Sequence, residues 1–67
     1  MYKGELVYIP AETLLQKKDE NGVTLTLLRI ERPINLLVTE VQEKECQVLY
    51  ENAHWWVSRK NTYGVKQ

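Results

Sequence analysis

Two adjacent tryptophans, Trp55 and Trp56, are the side chains in this sequence best suited to recognising another molecule. In an extended strand, neighbouring side chains point to opposite faces, so one indole turns toward a core and the other away from it. Trp55 shares its parity with Val57 and is assigned inward; Trp56 is assigned outward, beside Leu49 across a hairpin. An outward tryptophan is a candidate anchor, because Trp is enriched among the few residues that dominate binding energy. The alternative is that Trp56 packs under the C-terminal segment, since a small domain needs covering aromatics. Tyr8 and Tyr63 are the secondary partner-binding candidates, being amphipathic and suited to interfaces, while Tyr50 fits better in the core. Arg59, with Arg29, Arg32 and Lys60, offers a basic rim. With Trp56 as a stacking platform, that rim would suit a single strand of nucleic acid. Glu31, Glu43, Glu45 and Glu51 are interspersed, which flattens the potential and favours a plain solvated rim.

Catalytic chemistry has little to work with. Cys46 and His54 could ligate a metal or form a nucleophilic pair, but two residues without a local second pair make a poor metal site. A Cys-His pair also needs an orienting third group and a pocket. Ser58 is the one serine, and neither a glycine-rich phosphate loop nor zinc-ligand spacing occurs. The reading is therefore of a protein that is not an enzyme and carries no cofactor or metal, with Cys46 buried and His54 in a turn.

The chain has 67 residues, enough for a single domain over 1–67 with one core. One cysteine precludes an intramolecular disulfide and suits a reducing compartment, so a cytoplasmic location is expected. Lys plus Arg and Asp plus Glu number nine each. That balance disfavours non-specific nucleic-acid binding, which rests on excess positive charge. The opening Met1-Tyr2-Lys3-Gly4-Glu5 does not read as a signal peptide, and no apolar run is long enough to span a membrane.

Residues 3–9 alternate, with Lys3, Glu5, Val7 and Ile9 on one face and Gly4, Leu6 and Tyr8 on the other; Pro10 ends the strand. A strand over 12–18 leads into Asp19-Glu20-Asn21-Gly22, where Asn-Gly signals a type I′ hairpin turn. The return arm is 23–30, with Val23, Leu25 and Leu27 set against Thr24, Thr26 and Leu28. Pro33 breaks the chain before a strand over 34–42, with Ile34, Leu36 and Val38 on one face and Leu37 and Val41 on the other. A charged turn at 43–45 precedes a strand over 46–51, a short turn at 52–54, and a strand over 55–60. Residues 61–67 close the chain with a 3₁₀ turn and a last short strand around Tyr63 and Val65. Sequential hairpins without a crossover helix predict an antiparallel meander that curls on itself.

Lys3-Gly4-Glu5-Leu6-Val7-Tyr8-Ile9-Pro10 resembles the opening of many small SH3-like barrels. The segment Val48-Leu49-Tyr50-Glu51-Asn52-Ala53-His54-Trp55-Trp56-Val57 resembles their strand-turn-strand with an aromatic pair. With Arg32-Pro33-Ile34-Asn35-Leu36-Leu37-Val38, the whole is similar to short uncharacterised proteins of large tailed bacteriophages. The resemblance implies an all-β, five-stranded antiparallel SH3-like barrel. Tyr63 has no proline before it and the acidic-loop start of eukaryotic SH3 domains is absent, so proline-rich peptide binding is not implied. The expected role is a protein-interaction module, in a phage setting an accessory factor binding a host or phage protein through Trp56, Tyr8, Tyr63, Leu49 and Arg59. A single-stranded nucleic-acid binder and a structural homo-oligomer subunit are the alternatives.

Overall fold

Two prolines and a set of tight turns cut residues 1–65 into seven short strands. The computed structural model describes residues 1–65. The strands are β1 (Leu6–Ile9), β2 (Leu14–Lys18), β3 (Thr24–Arg29), β4 (Ile34–Val41), β5 (Glu45–Tyr50), β6 (Ala53–Ser58) and β7 (Tyr63–Gly64), with a 3₁₀ turn at Arg59–Asn61. They form one antiparallel sheet in the order β3-β2-β6-β5-β4-β1-β7. The all-β expectation holds. The five strands of a closed barrel do not: there are seven among the described residues, and β3 and β7 stand at opposite ends of an open sheet. Nor is the pairing a simple meander. The segment β4-β5-β6 is one, but β1 pairs with β4 and β2 reaches β6, so three connections, β1–β2, β3–β4 and β6–β7, join strands that are not neighbours in the sheet.

The sheet bends around a core of Val7, Ile9, Leu15, Ile30, Leu36, Val38, Cys46, Val48 and Val57, with Leu28, Ile34, Val41, Tyr50 and Trp55 packed against it. Each fully buried aliphatic side chain contributes about 1.5–3 kcal/mol. Alternation explains β1 and β5 well: Val7 and Ile9, then Cys46 and Val48, point inward from every second position. In β4 a bulge between Val38 and Glu40 resets the parity. Val41, assigned to the face of Leu37, therefore sits opposite buried Cys46 and packs on the core.

The turns differ from the predicted ones in instructive ways. Gly22 takes φ +82°, but Asn21 does not adopt a positive φ. Instead, the Gly22 amide donates to Asp19 O at 3.0 Å, and the Asp19 side chain accepts from the amides of Asn21 and Val23, each at 2.9 Å. That is a three-residue turn ending on a left-handed glycine, not a two-residue type I′ turn. The two-residue turn with positive φ at both positions lies in the β5–β6 hairpin: Glu51 and Asn52 have φ 49° and 63°. Ala53 and His54, read as turn, are consequently the first residues of β6, opposite Tyr50 and Leu49. At the N-terminus the strand begins at Leu6 rather than Lys3, since Lys3 and Gly4 form a turn with Gly4 at φ +92°. Of the predicted closing segment 61–67, residues 66 and 67 lie outside the described residues.

Candidate interaction face

Side chains paired across adjacent strands share a face of the sheet, so the register gives the composition of the outer surface. The pairs Leu6↔Leu37 and Leu37↔Leu49 put three leucines in one row across β1, β4 and β5, and Leu49↔His54 extends the row to β6. The leucines are 39%, 38% and 37% exposed. Neighbouring strands lie about 4.8 Å apart, so the row is continuous. Beside it at the sheet end, Tyr8 pairs with Asn35 and Tyr63, and the two tyrosine rings stand 6.3 Å apart, tilted by 55°. Toward β6, the Thr39 hydroxyl lies 3.1 Å from Gln47 Oε1 and 3.2 Å from His54 Nδ1, giving the row a polar border.

The two indoles part as pleating requires. Trp55 lies opposite Val48 and packs against the core; Trp56 lies opposite Gln47 and bridges to Gln16 of β2 on the outer face. Leu49 is the diagonal neighbour of Trp56, its direct partner being His54. Trp56 is half-buried rather than freely exposed. The described C-terminal segment pairs with β1 at the far end of the sheet, so it does not supply the cover. Lys18 does: its ammonium sits 5.3 Å from the Trp56 ring centroid and donates to Glu45 Oε1. Lys17 takes the matching place 5.4 Å over Trp55. Trp55 Nε1 is buried without an acceptor among the described residues, a desolvated donor that costs about 1–3 kcal/mol.

No protein-family model, curated protein or solved structure matches the chain.

The four basic residues do not form one patch. Arg29 pairs with Glu12, and Arg29 and Arg32 line a cleft at the start of β4. Arg59 lies at the other end of that strand, roughly 25 Å away along eight residues. There its Nη1 donates to Gln42 O at 3.0 Å and Glu43 O at 3.2 Å, pinning the β4–β5 turn. Arg59 thus has a clear local task in the turn. Cys46 and His54 point to opposite faces of the β5–β6 ladder and cannot meet at one ion or one reacting atom. Burial pushes the Cys46 thiol above its ordinary value of 9.0; nearby Arg59 opposes the shift and Glu45 adds to it. No group of three or more metal-ligating side chains occurs among the described residues, and none of the helices there is long and apolar enough to cross a membrane.

Leu6 and Leu37 are what the sequence reading missed. Each is visible alone as an apolar residue on the outward parity of its strand. What joins them to Leu49 is the pairing of β1 with β4, a contact between segments almost thirty residues apart in sequence.

Proposed function

We propose that the chain is a non-enzymatic protein-interaction module, an open relative of the SH3-like barrels, that docks a protein partner on the outer face of β1, β4 and β5. The observation that carries this reading is the continuous exposed row Leu6–Leu37–Leu49. Interfaces have an apolar centre with aromatic anchors and a polar rim. Here the leucines are the centre, Tyr8 and Tyr63 the aromatic flank, and Asn35, Thr39, Gln47 and His54 the rim. Trp56 borders the row diagonally from Leu49. The resemblance of the opening segment, the Arg32–Val38 stretch and the aromatic hairpin to phage proteins supports an accessory role in the cytoplasm of a host cell.

The test is capture from host lysate by the immobilised chain, comparing the wild type with Leu37→Asp and Leu6→Asp. Both positions are exposed, so each variant is expected to fold, by far-UV circular dichroism, while its captured partner drops roughly tenfold or more. Wild-type capture by both folded variants would overturn the assignment of this face.

A further inference from the structure

Where the β4–β5 turn meets the end of β6, Glu43, Lys44, Ser58, Arg59 and Lys60 line an open cleft of about 310 Å³. Lys44, Arg59 and Lys60 set three positive charges there against the one carboxylate of Glu43, so a chain with no net charge holds a local surplus of cations. Lys44 and Lys60 are exposed and enter no ion pair among the described residues. Ser58 begins the 3₁₀ turn without spending its hydroxyl on a cap. Arg59 is held more firmly than the lysines. Its Nη1 donates to Gln42 O and Glu43 O, and its amide donates to Lys44 O at 3.0 Å. A guanidinium carries five N–H donors in one rigid plane. The Nη1 donors are spent on the turn, while Nε and Nη2 have no partner among the described residues. That free edge presents two donors side by side, the arrangement with which arginine takes two oxygens of one oxyanion.

We infer that this cleft binds a phosphate monoester, free or carried on a phosphorylated side chain. A monoester has about −1.5 to −2 charge at pH 7 and three strong acceptor oxygens, which matches three cations opposed by one acid. Arg59 takes two of the oxygens on its free edge, Ser58 donates to the third, and Lys44 and Lys60 neutralise the remaining charge. The pinned guanidinium is in place before the ligand arrives, which lowers the cost of ordering it. A carboxylate carries less charge and leaves the surplus uncompensated. A nucleic-acid strand needs cations repeated along its length, and here they stop. Lys18 is closed on Glu45, and Arg29 and Arg32 line a cleft at the other end of β4. Glu43 is the opposing group, and its repulsion keeps the site weak. The inference is independent of the outer-face reading, which rests on Leu6, Leu37 and Leu49.

Amide chemical shifts of the isotope-labelled chain, titrated at neutral pH and constant ionic strength, test it. The probes are inorganic phosphate, O-phosphoserine, dimethyl phosphate and a single-stranded oligonucleotide. Inorganic phosphate or O-phosphoserine should shift Lys44, Ser58, Arg59 and Lys60 saturably, in the roughly millimolar range of a single anion held by a few charge-assisted hydrogen bonds. Dimethyl phosphate, a diester with one charge, should bind about tenfold more weakly or worse. Tighter binding of O-phosphoserine assigns the site to a phosphorylated side chain, and tighter binding of inorganic phosphate assigns it to the free ion; both uphold it. The exposed double variant Lys44→Gln with Lys60→Gln should weaken binding about tenfold with the fold intact. Glu43→Gln should tighten it severalfold, a gain that unfolding cannot mimic. Arg59→Lys keeps the charge but loses the two-donor edge, and should also weaken binding. Unsaturable shifts, dimethyl phosphate binding as well as the monoesters, or full affinity in the lysine variant each overturn the inference. So does an oligonucleotide that binds far more tightly than either monoester and loses affinity steeply with salt, which would make the cleft part of a nucleic-acid surface.

Discussion

The β5–β6 hairpin and the β2–β6 seam differ sharply in what joins them. The first runs through six consecutive cross-strand pairs, from Glu45↔Ser58 to Tyr50↔Ala53. The second has a single bridge, Gln16↔Trp56. Where backbone pairing thins out, side chains take over: Leu15 fills the core from β2, Lys17 and Lys18 lie on Trp55 and Trp56, and Lys18 closes on Glu45. The tryptophan pair is therefore the joint between a well-paired half-sheet and a hairpin that would otherwise hang free.

The strongest way to break this comparison is at Leu15, the one fully buried side chain of β2 among the aliphatic residues. Leu15→Ala should cost about 2–5 kcal/mol, mostly from lost burial and an unfilled cavity. A domain this small has only a few kcal/mol in hand, so the variant should be largely unfolded without denaturant, as urea titration would read. If β5 and β6 amides instead keep native hydrogen-exchange protection while β2 and β3 lose theirs, the two halves fold independently and the joint is dispensable.

Next in size is Trp56→Ala, expected to cost about 2 kcal/mol, below the 3–5 kcal/mol typical of a fully buried aromatic because the ring is only half covered. Lys18→Met should cost about 1 kcal/mol or less, since a partly exposed ion pair and one cation–π contact are each modest. The double variant should fall short of the sum, because Lys18 loses its ring contact once Trp56 is gone. Additive losses would show that Lys18 acts through Glu45 alone.

The sequence is most readable where local alternation and local pairing coincide. The inward set Val7, Ile9, Cys46, Val48 and Val57 follows from period-two patterning, as does the separation of Trp55 from Trp56. It is least readable where a single inserted residue shifts the parity, as Thr39 does for Val41 and Leu25 does in β3. A one-residue shift moves every later side chain to the other face, and no residue type announces it. The leucine row needed the pairing of β1 with β4, which depends on how the whole sheet bends. The cover on Trp56 needed β2 to arrive at β6. The turns fall between these cases: Gly22 marks a turn correctly, while the positive φ at Glu51 follows from the tight hairpin geometry rather than from any preference of glutamate.

The smallest effect probes the well-paired half by itself. Cys46 is fully buried in β5, and its burial raises the thiol pKa above 9.0 in the folded chain. Below that value both folded and unfolded chains hold the proton, and stability does not depend on this group. As pH rises through it, the unfolded thiol ionises first while the folded one stays neutral, so the folded state binds more protons and stability falls. The decline has a limiting slope of about 1.4 kcal/mol per pH unit and ends once the folded thiol also ionises. Tyrosines and lysines titrate in the same range, so the informative quantity is the difference between the wild type and Cys46→Val, a change of similar volume that removes the proton. The wild-type urea midpoint should drop relative to Cys46→Val above pH 9 and run parallel to it below. Because β5 is bonded on both sides, a thiol reagent should reach Cys46 only through global opening, and Leu15→Ala should speed that reaction. Rapid labelling of the wild type, with no pH-dependent gap from Cys46→Val, would mean that β5 opens locally and that the contrast between the two regions is weaker than their ladders suggest.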